Sequence, residues 1–168
     1  MRNNQKGFSL IELLIVVAII LIIAAIAIPN LLRSRMAANE ASAVGSVRTI
    51  NTAQVTYSTT YGTGFTTLAQ LGGPAACVAA PATACLIDPV LTLGTKSGYV
   101  MSSVPNNPAA GTVLAPSTGF ESNATRQSAS SGTRAFCSDQ SGVIRYNTTG
   151  VAIGTGAGAC AAVPTILQ

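Results

Sequence analysis

The sequence predicts an α+β fold in which one long N-terminal α-helix, apolar in its transmembrane half and amphipathic in the other, packs on a small antiparallel β-sheet head. Three observations predict it. Residues 8–28 form an apolar run with a single charge, residues 31–61 continue with helical periodicity and no proline, and strand-like segments separated by turn residues occupy the chain from 98 onwards. These boundaries divide the chain into a short basic leader (1–7), a membrane helix (8–28), an amphipathic helix (29–61) and a globular head (62–168).

The run from Phe8 to Ile28, FSLIELLIVVAIILIIAAIAI, has 21 residues and one charge, Glu12. As a helix rising about 1.5 Å per residue it reaches roughly 30 Å, the thickness of a bilayer core. A helix apolar on all sides needs lipid or a large protein interior, and a chain of 168 residues is too short to provide the interior. Arg2 and Lys6 would suit the start of a secretory signal. The run, however, exceeds the roughly 7–15 residues of a signal's apolar core, and no polar cleavage region follows it. Membrane insertion is the expectation.

Orientation is not set by basic residues, because Arg2 and Lys6 on one side balance Arg33 and Arg35 on the other. The cysteines break the tie. Cys77, Cys85, Cys137 and Cys160 all follow the run, and a disulfide-bearing segment belongs on the oxidising side of the membrane. The N-terminus is therefore placed in the cytoplasm and the head outside.

Glu12 is the residue of the run that carries information. An acidic group such as Asp costs about 2.5–3.5 kcal/mol at mid-membrane and less near an end. Its place near the N-terminal end lets the side chain snorkel. It also awaits a cation, and the run has none. Removal of residues 1–7 would create one, the α-amine of Phe8, about a turn away in the same helix. An adjacent copy presents the same amine more directly.

At these residues the chain resembles a known family. Lys6-Gly7-Phe8-Ser9-Leu10-Ile11-Glu12 is similar to the processing site of type IV prepilins and of the pseudopilins of type II secretion. The short basic leader, Gly7, aromatic Phe8, Glu12 as fifth residue after the cut and Pro29 agree jointly over roughly residues 1–60. The resemblance implies cleavage between Gly7 and Phe8 by a membrane-embedded prepilin peptidase, N-methylation of Phe8, and neutralisation of a neighbour's N-terminus by Glu12 during assembly. It also implies a loss of helical order around Pro29. The residue itself argues for a kink there, since proline lacks an N–H and clashes with the carbonyl of Ala25.

Beyond Pro29, the apolar side chains Ala43, Val47, Ile50, Tyr57 and Tyr61 recur at three- and four-residue steps or their sums and mark one helical face. Arg33, Arg35, Glu40 and Arg48 read as lying mostly off that stripe. Gly62 and Gly64 end the helix near Tyr61. Residues 62–98, rich in Gly, Pro, Ala and Thr, read as a long connection. Strand candidates follow at 98–104, more weakly around Phe120 after a loop with Pro105, Pro108 and Pro116, and at 133–138 and 143–147. The last two flank Asp139-Gln140-Ser141-Gly142, turn-forming residues that read as a hairpin connection. Phe136, Ile144 and Tyr146 are offered to the core, with Arg145 on the other face. Four cysteines allow three pairings, of which proximity favours Cys77–Cys85 and Cys137–Cys160.

Composition excludes most chemistry. Charged residues make up 8% of the chain, His is absent, and Asp88, Glu121 and Asp139 stand far apart with no motif around them. No triad or histidine general base is available, so no catalytic residue, cofactor or metal is expected and the chain does not read as an enzyme. The cysteine spacings do not suit zinc. Asp139 reads as a turn former and not a calcium ligand. Despite a net charge of +4, no basic patch with interleaved aromatics marks a nucleic-acid reader, and that partner stays open.

The resemblance implies a major pilin of a type IV pilus. Its partners would be copies of itself in a helical filament, the prepilin peptidase and the inner-membrane assembly platform. Its locations would be the bacterial inner membrane as a single pass, then the extracellular pilus. The alternatives it leaves are a major pseudopilin of type II secretion, or a minor pilin acting as an adhesive or DNA-binding tip module.

Overall fold

A computed structural model describes residues 8–74, 76–107 and 115–167. The expected leader, with Arg2, Lys6 and Gly7, lies outside the described residues, as does Pro108. The chain divides into two compact units, one ending at Arg35 and a head unit beginning at Met36.

Helix α1 spans Leu10–Tyr61, 52 residues. In the first unit every Leu, Ile and Val from Leu10 to Leu32 is exposed, and an 18-residue window of this helix reaches a mean hydropathy of 3.3. This stretch is long and apolar enough to cross a membrane. Pro29 lies inside α1, and the helix runs through it. The loss of helical order that the resemblance implies there is a property of assembled filaments. A proline forfeits one backbone hydrogen bond and crowds one carbonyl, and the intact turns on either side carry the helix across so local a defect.

In the head unit, α1 buries Glu40, Ala43, Val47, Ile50, Gln54 and Tyr57 at alternating three- and four-residue steps. The apolar members are those the periodicity predicts. Tyr61 is half-buried and packs against Tyr57 with ring centroids 4.8 Å apart and the rings tilted by 49°. Glu40 corrects the sequence reading: three residues before Ala43, it shares the stripe and is only 6% exposed. On the exposed side of α1, Thr49, Thr52, Thr56 and Thr59 each donate a hydroxyl to the carbonyl four residues earlier, at 3.0–3.1 Å. The helix ends where Gly62 adopts φ +67° and donates its N–H to Ser58 O at 3.0 Å, a left-handed terminator without the steric cost of a side chain.

The stretch read as plain connection holds two single-turn helices, α2 (Leu68–Leu71) and α3 (Pro89–Thr92), and a short strand β1 (Thr95–Lys96). Asp88 caps α3 by accepting the Leu91 N–H at 2.7 Å, with Pro89 placed where its missing donor costs nothing. Leu68, Leu71 and Leu91 join the core.

The sheet continues with β2 (Tyr99–Pro105), β3 (Phe120–Arg126), β4 (Ala135–Asp139) and β5 (Arg145–Asn147), all antiparallel in chain order β1-β2-β3-β4-β5. The side-chain period of two separates its faces. Met101, Ala124, Phe136 and Tyr146 form one cross-strand row, clustered with Ala43, Val47 and Ile50 of α1. Ser102, Asn123, Cys137 and Arg145 form the row on the opposite face. There Cys137 packs with Ile153, Cys160 and Val163, so the C-terminal segment covers the second face.

That segment also closes the β5 edge: Tyr146 donates its N–H to Thr165 O at 2.9 Å, and Leu167 to Ile144 O at 2.8 Å. Pairing an edge strand removes a template for unwanted strand addition. In the β4–β5 connection Gly142 has φ +75° and donates to Asp139 O at 2.9 Å, while the Asp139 carboxylate accepts the Ser141 N–H at 2.8 Å.

Candidate assembly site

The residues singled out for assembly lie at the start of α1. Phe8 is 80% exposed and precedes the first helical bond, from Leu13 N to Ser9 O at 3.2 Å. Glu12 stands in the first turn, where the unpaired N–H groups of a helix end favour a carboxylate by about 0.3–1 kcal/mol. It is exposed, and among the described residues no hydrogen bond or ion pair reaches it. Leu10, Leu13, Leu14 and Val17 line a shallow apolar groove on this part of the helix. Phe8 and Glu12 are thus one turn apart, while Gly7, the other side of the expected cut, is outside the described residues. Pro29 is farther along α1 and contacts none of this chemistry.

The head gives α1 its footing through polar groups that periodicity did not reveal. Glu40 accepts from Thr133 N at 2.7 Å, Thr133 Oγ1 at 2.8 Å and Arg134 N at 3.2 Å, and pairs with the Arg134 guanidinium at 2.7 Å. Burial alone would raise its pKa, but these donors outweigh burial and hold the carboxyl below the ordinary glutamate range. Arg134 in turn lies over the rings of Phe136 and Tyr146, 5.6 and 5.2 Å from their centroids. Gln54, fully buried, donates to Thr66 O at 2.6 Å and Ser103 Oγ at 2.8 Å and accepts from Thr66 N at 2.9 Å. Asn51 bridges Ser138 and Ser122.

The four cysteines meet as Cys77–Cys85 and Cys137–Cys160, the pairing that proximity favours. Beside the second bridge, the buried Glu121 accepts the N–H groups of Gly158 at 2.8 Å and Cys160 at 3.1 Å. Burial pushes its carboxyl above the ordinary range and the facing Asp139 adds to this, against the pull of the two amides. Glu40, Glu121 and Asp139 thus all point inward, leaving Asp88, paired with Lys96 at 3.5 Å, as the exposed acid of the head among the described residues. Among those residues no three His, Cys, Asp or Glu side chains gather as metal ligands.

A helix long and apolar enough to cross a membrane, with a carboxylate in its first turn, precedes an α+β head. Residues 2–28 match the prokaryotic N-terminal methylation motif. Over 38 residues the chain is 66% identical to the type IV wide pilus major component PilA4 of Thermus thermophilus, a match covering 23% of this chain and 29% of that protein. Over 54 residues it is 46% identical to the type IV major pilin protein PilA of Myxococcus xanthus, covering 32% of this chain and 24% of that protein. The matches thus span less than a third of either relative. No solved structure matches the chain. On this motif and these matches the chain is similar to type IV pilins over up to 32% of its length.

Proposed function

We propose that the chain is the major structural subunit of a type IV pilus filament. In this reading a prepilin peptidase cuts between Gly7 and Phe8 and methylates the new amine of Phe8. Residues 8–28 then hold the subunit in the inner membrane as a single pass, with the N-terminus in the cytoplasm and residues 62–168 outside as the head. The assembly platform moves it into an extracellular filament in which α1 packs against copies of itself. Head-to-tail contacts that do not close on themselves give a fibre, and the turn around Pro29 loosens as the helices bundle. Both relatives carry names of major pilus components, which favours a pilus over a secretion pseudopilin.

The observation that carries this reading is Glu12, exposed and unpartnered in an otherwise apolar helix. A simple tether has no use for a carboxylate there, whereas assembly brings it the amine of a neighbour's Phe8. Opposite charges about 4 Å apart attract by about 4 kcal/mol at an effective dielectric constant near 20. That offsets the roughly 2.5–3.5 kcal/mol that an acid costs in the bilayer core. Intact mass of surface fibres is expected to show loss of residues 1–7 and one added methyl group; fibres retaining Met1–Gly7 would refute the processing step. Glu12→Ala is expected to insert normally in the membrane and to yield few or no fibres by electron microscopy. Normal fibre yield from that variant removes the basis of the proposal.

A further inference from the structure

Most cations of the head are committed. Lys96 pairs with Asp88 and Arg134 with Glu40, while Arg126 and Arg145 donate to the carbonyls of Gly132 and Val163. Arg33 and Arg35, in the first unit, are exposed and have no hydrogen bond or ion pair among the described residues. They come directly after Leu32, the last residue of the exposed apolar stretch. Between them Ser34 turns its hydroxyl back to Asn30 O at 3.0 Å and does not compete for a ligand. Two residues apart on a helix, the arginines are separated by about 200° around the axis, so they address opposite sides.

We infer that Arg33 and Arg35 form a phosphate-binding collar that seats the inserted helix in the outer leaflet by donating to the phosphate oxygens of lipid headgroups. The inference rests on the membrane-insertion reading above. A guanidinium presents a rigid fork of N–H donors that matches phosphate oxygens. Long basic side chains at the end of an apolar segment also extend naturally to the headgroups.

Depth is what the collar determines. From Glu12 to Arg33, α1 rises about 31 Å at 1.5 Å per residue, close to the roughly 30 Å of a hydrocarbon core. With the arginines at the outer phosphates, Glu12 rests at the opposite boundary, where its charge costs least. Lifting the subunit then breaks the collar and draws Glu12 into the hydrocarbon in one motion. The collar also accounts for basic residues on the side where topology does not call for them.

The test is solid-state NMR of the full chain, 15N-labelled at arginine, in phosphatidylethanolamine–phosphatidylglycerol vesicles and phosphate-free buffer. Lipid 31P is expected to dephase the guanidinium signals of Arg33 and Arg35, each assigned by its disappearance in R33Q or R35Q. Arg48, also exposed and unpaired but in the head unit, is expected to keep its signal and is assigned with R48Q. Protease protection of the apolar segment is scored in the same vesicles. Protection without dephasing at Arg33 and Arg35, or equal dephasing at Arg48, overturns the collar and leaves insertion standing. Loss of protection overturns the insertion reading, and the collar falls with it.

Discussion

Glu40 and Glu121 are both buried carboxylates, yet their surroundings drive them in opposite directions. Glu40, held below its ordinary range by Thr133 and Arg134, contributes stability that is present above the unfolded value of about 4.3 and is lost as pH falls through its folded value. Glu121, pushed up by burial, contributes stability that is present below the same unfolded value and is lost as pH rises through its folded one. Urea titrations of the detergent-solubilised chain between pH 3 and 7 are expected to separate them. Glu121→Gln removes the gain on mild acidification, and Glu40→Ala removes the loss at lower pH. Glu40→Ala is also expected to cost about 2 kcal/mol at neutral pH, a figure held down because the Arg134 side chain is 37% exposed and partly screened. A pH response in both variants identical to that of the parent chain contradicts this assignment.

At the scale of elements, what was legible in the sequence was whatever repeats locally. The apolar run of α1, its stop at Gly62, the β2 strand and the Asp139–Gly142 turn all follow from neighbours within a few residues. The polar members of the α1 stripe did not, because Glu40 and Gln54 find partners in Thr133, Arg134, Thr66 and Ser103, distant in the chain. A polar side chain at a core position reads as surface until its partner is known. The helices α2 and α3 escaped for another reason: a single turn is too short to show a period. The buried amide makes a clear test. Gln54→Ala leaves Thr66 N and O without their side-chain partner, and its expected cost is about 2–3 kcal/mol, read as a lower urea midpoint with an unchanged slope. The threonines of α1 act in the reverse sense: with hydroxyls turned to the helix backbone, Thr49, Thr52, Thr56 and Thr59 show methyl groups outward.

Across the whole molecule, the sheet is covered by α1 on one face and by the C-terminal segment on the other. The sequence suggested the first cover through the helical stripe; of the second it offered only the Cys137–Cys160 pairing that proximity favours. The Cys137–Cys160 bridge closes a separation of 23 residues, for which the chain-entropy model gives about 3.4 kcal/mol. Replacing both cysteines with serine is expected to lower head stability by about that amount and to open residues 148–164 to limited proteolysis before the sheet is cut. Equal cleavage of tail and sheet would show instead that the bridge holds the entire head. The inward turn of Glu40, Glu121 and Asp139 has a last consequence for a fibre built from such heads. With Asp88 already engaged by Lys96, calcium or magnesium finds almost no carboxylate on the described head surface to crosslink. If the chain builds fibres as proposed, their lateral bundling is expected to be insensitive to these divalent cations, and hard water leaves it unchanged.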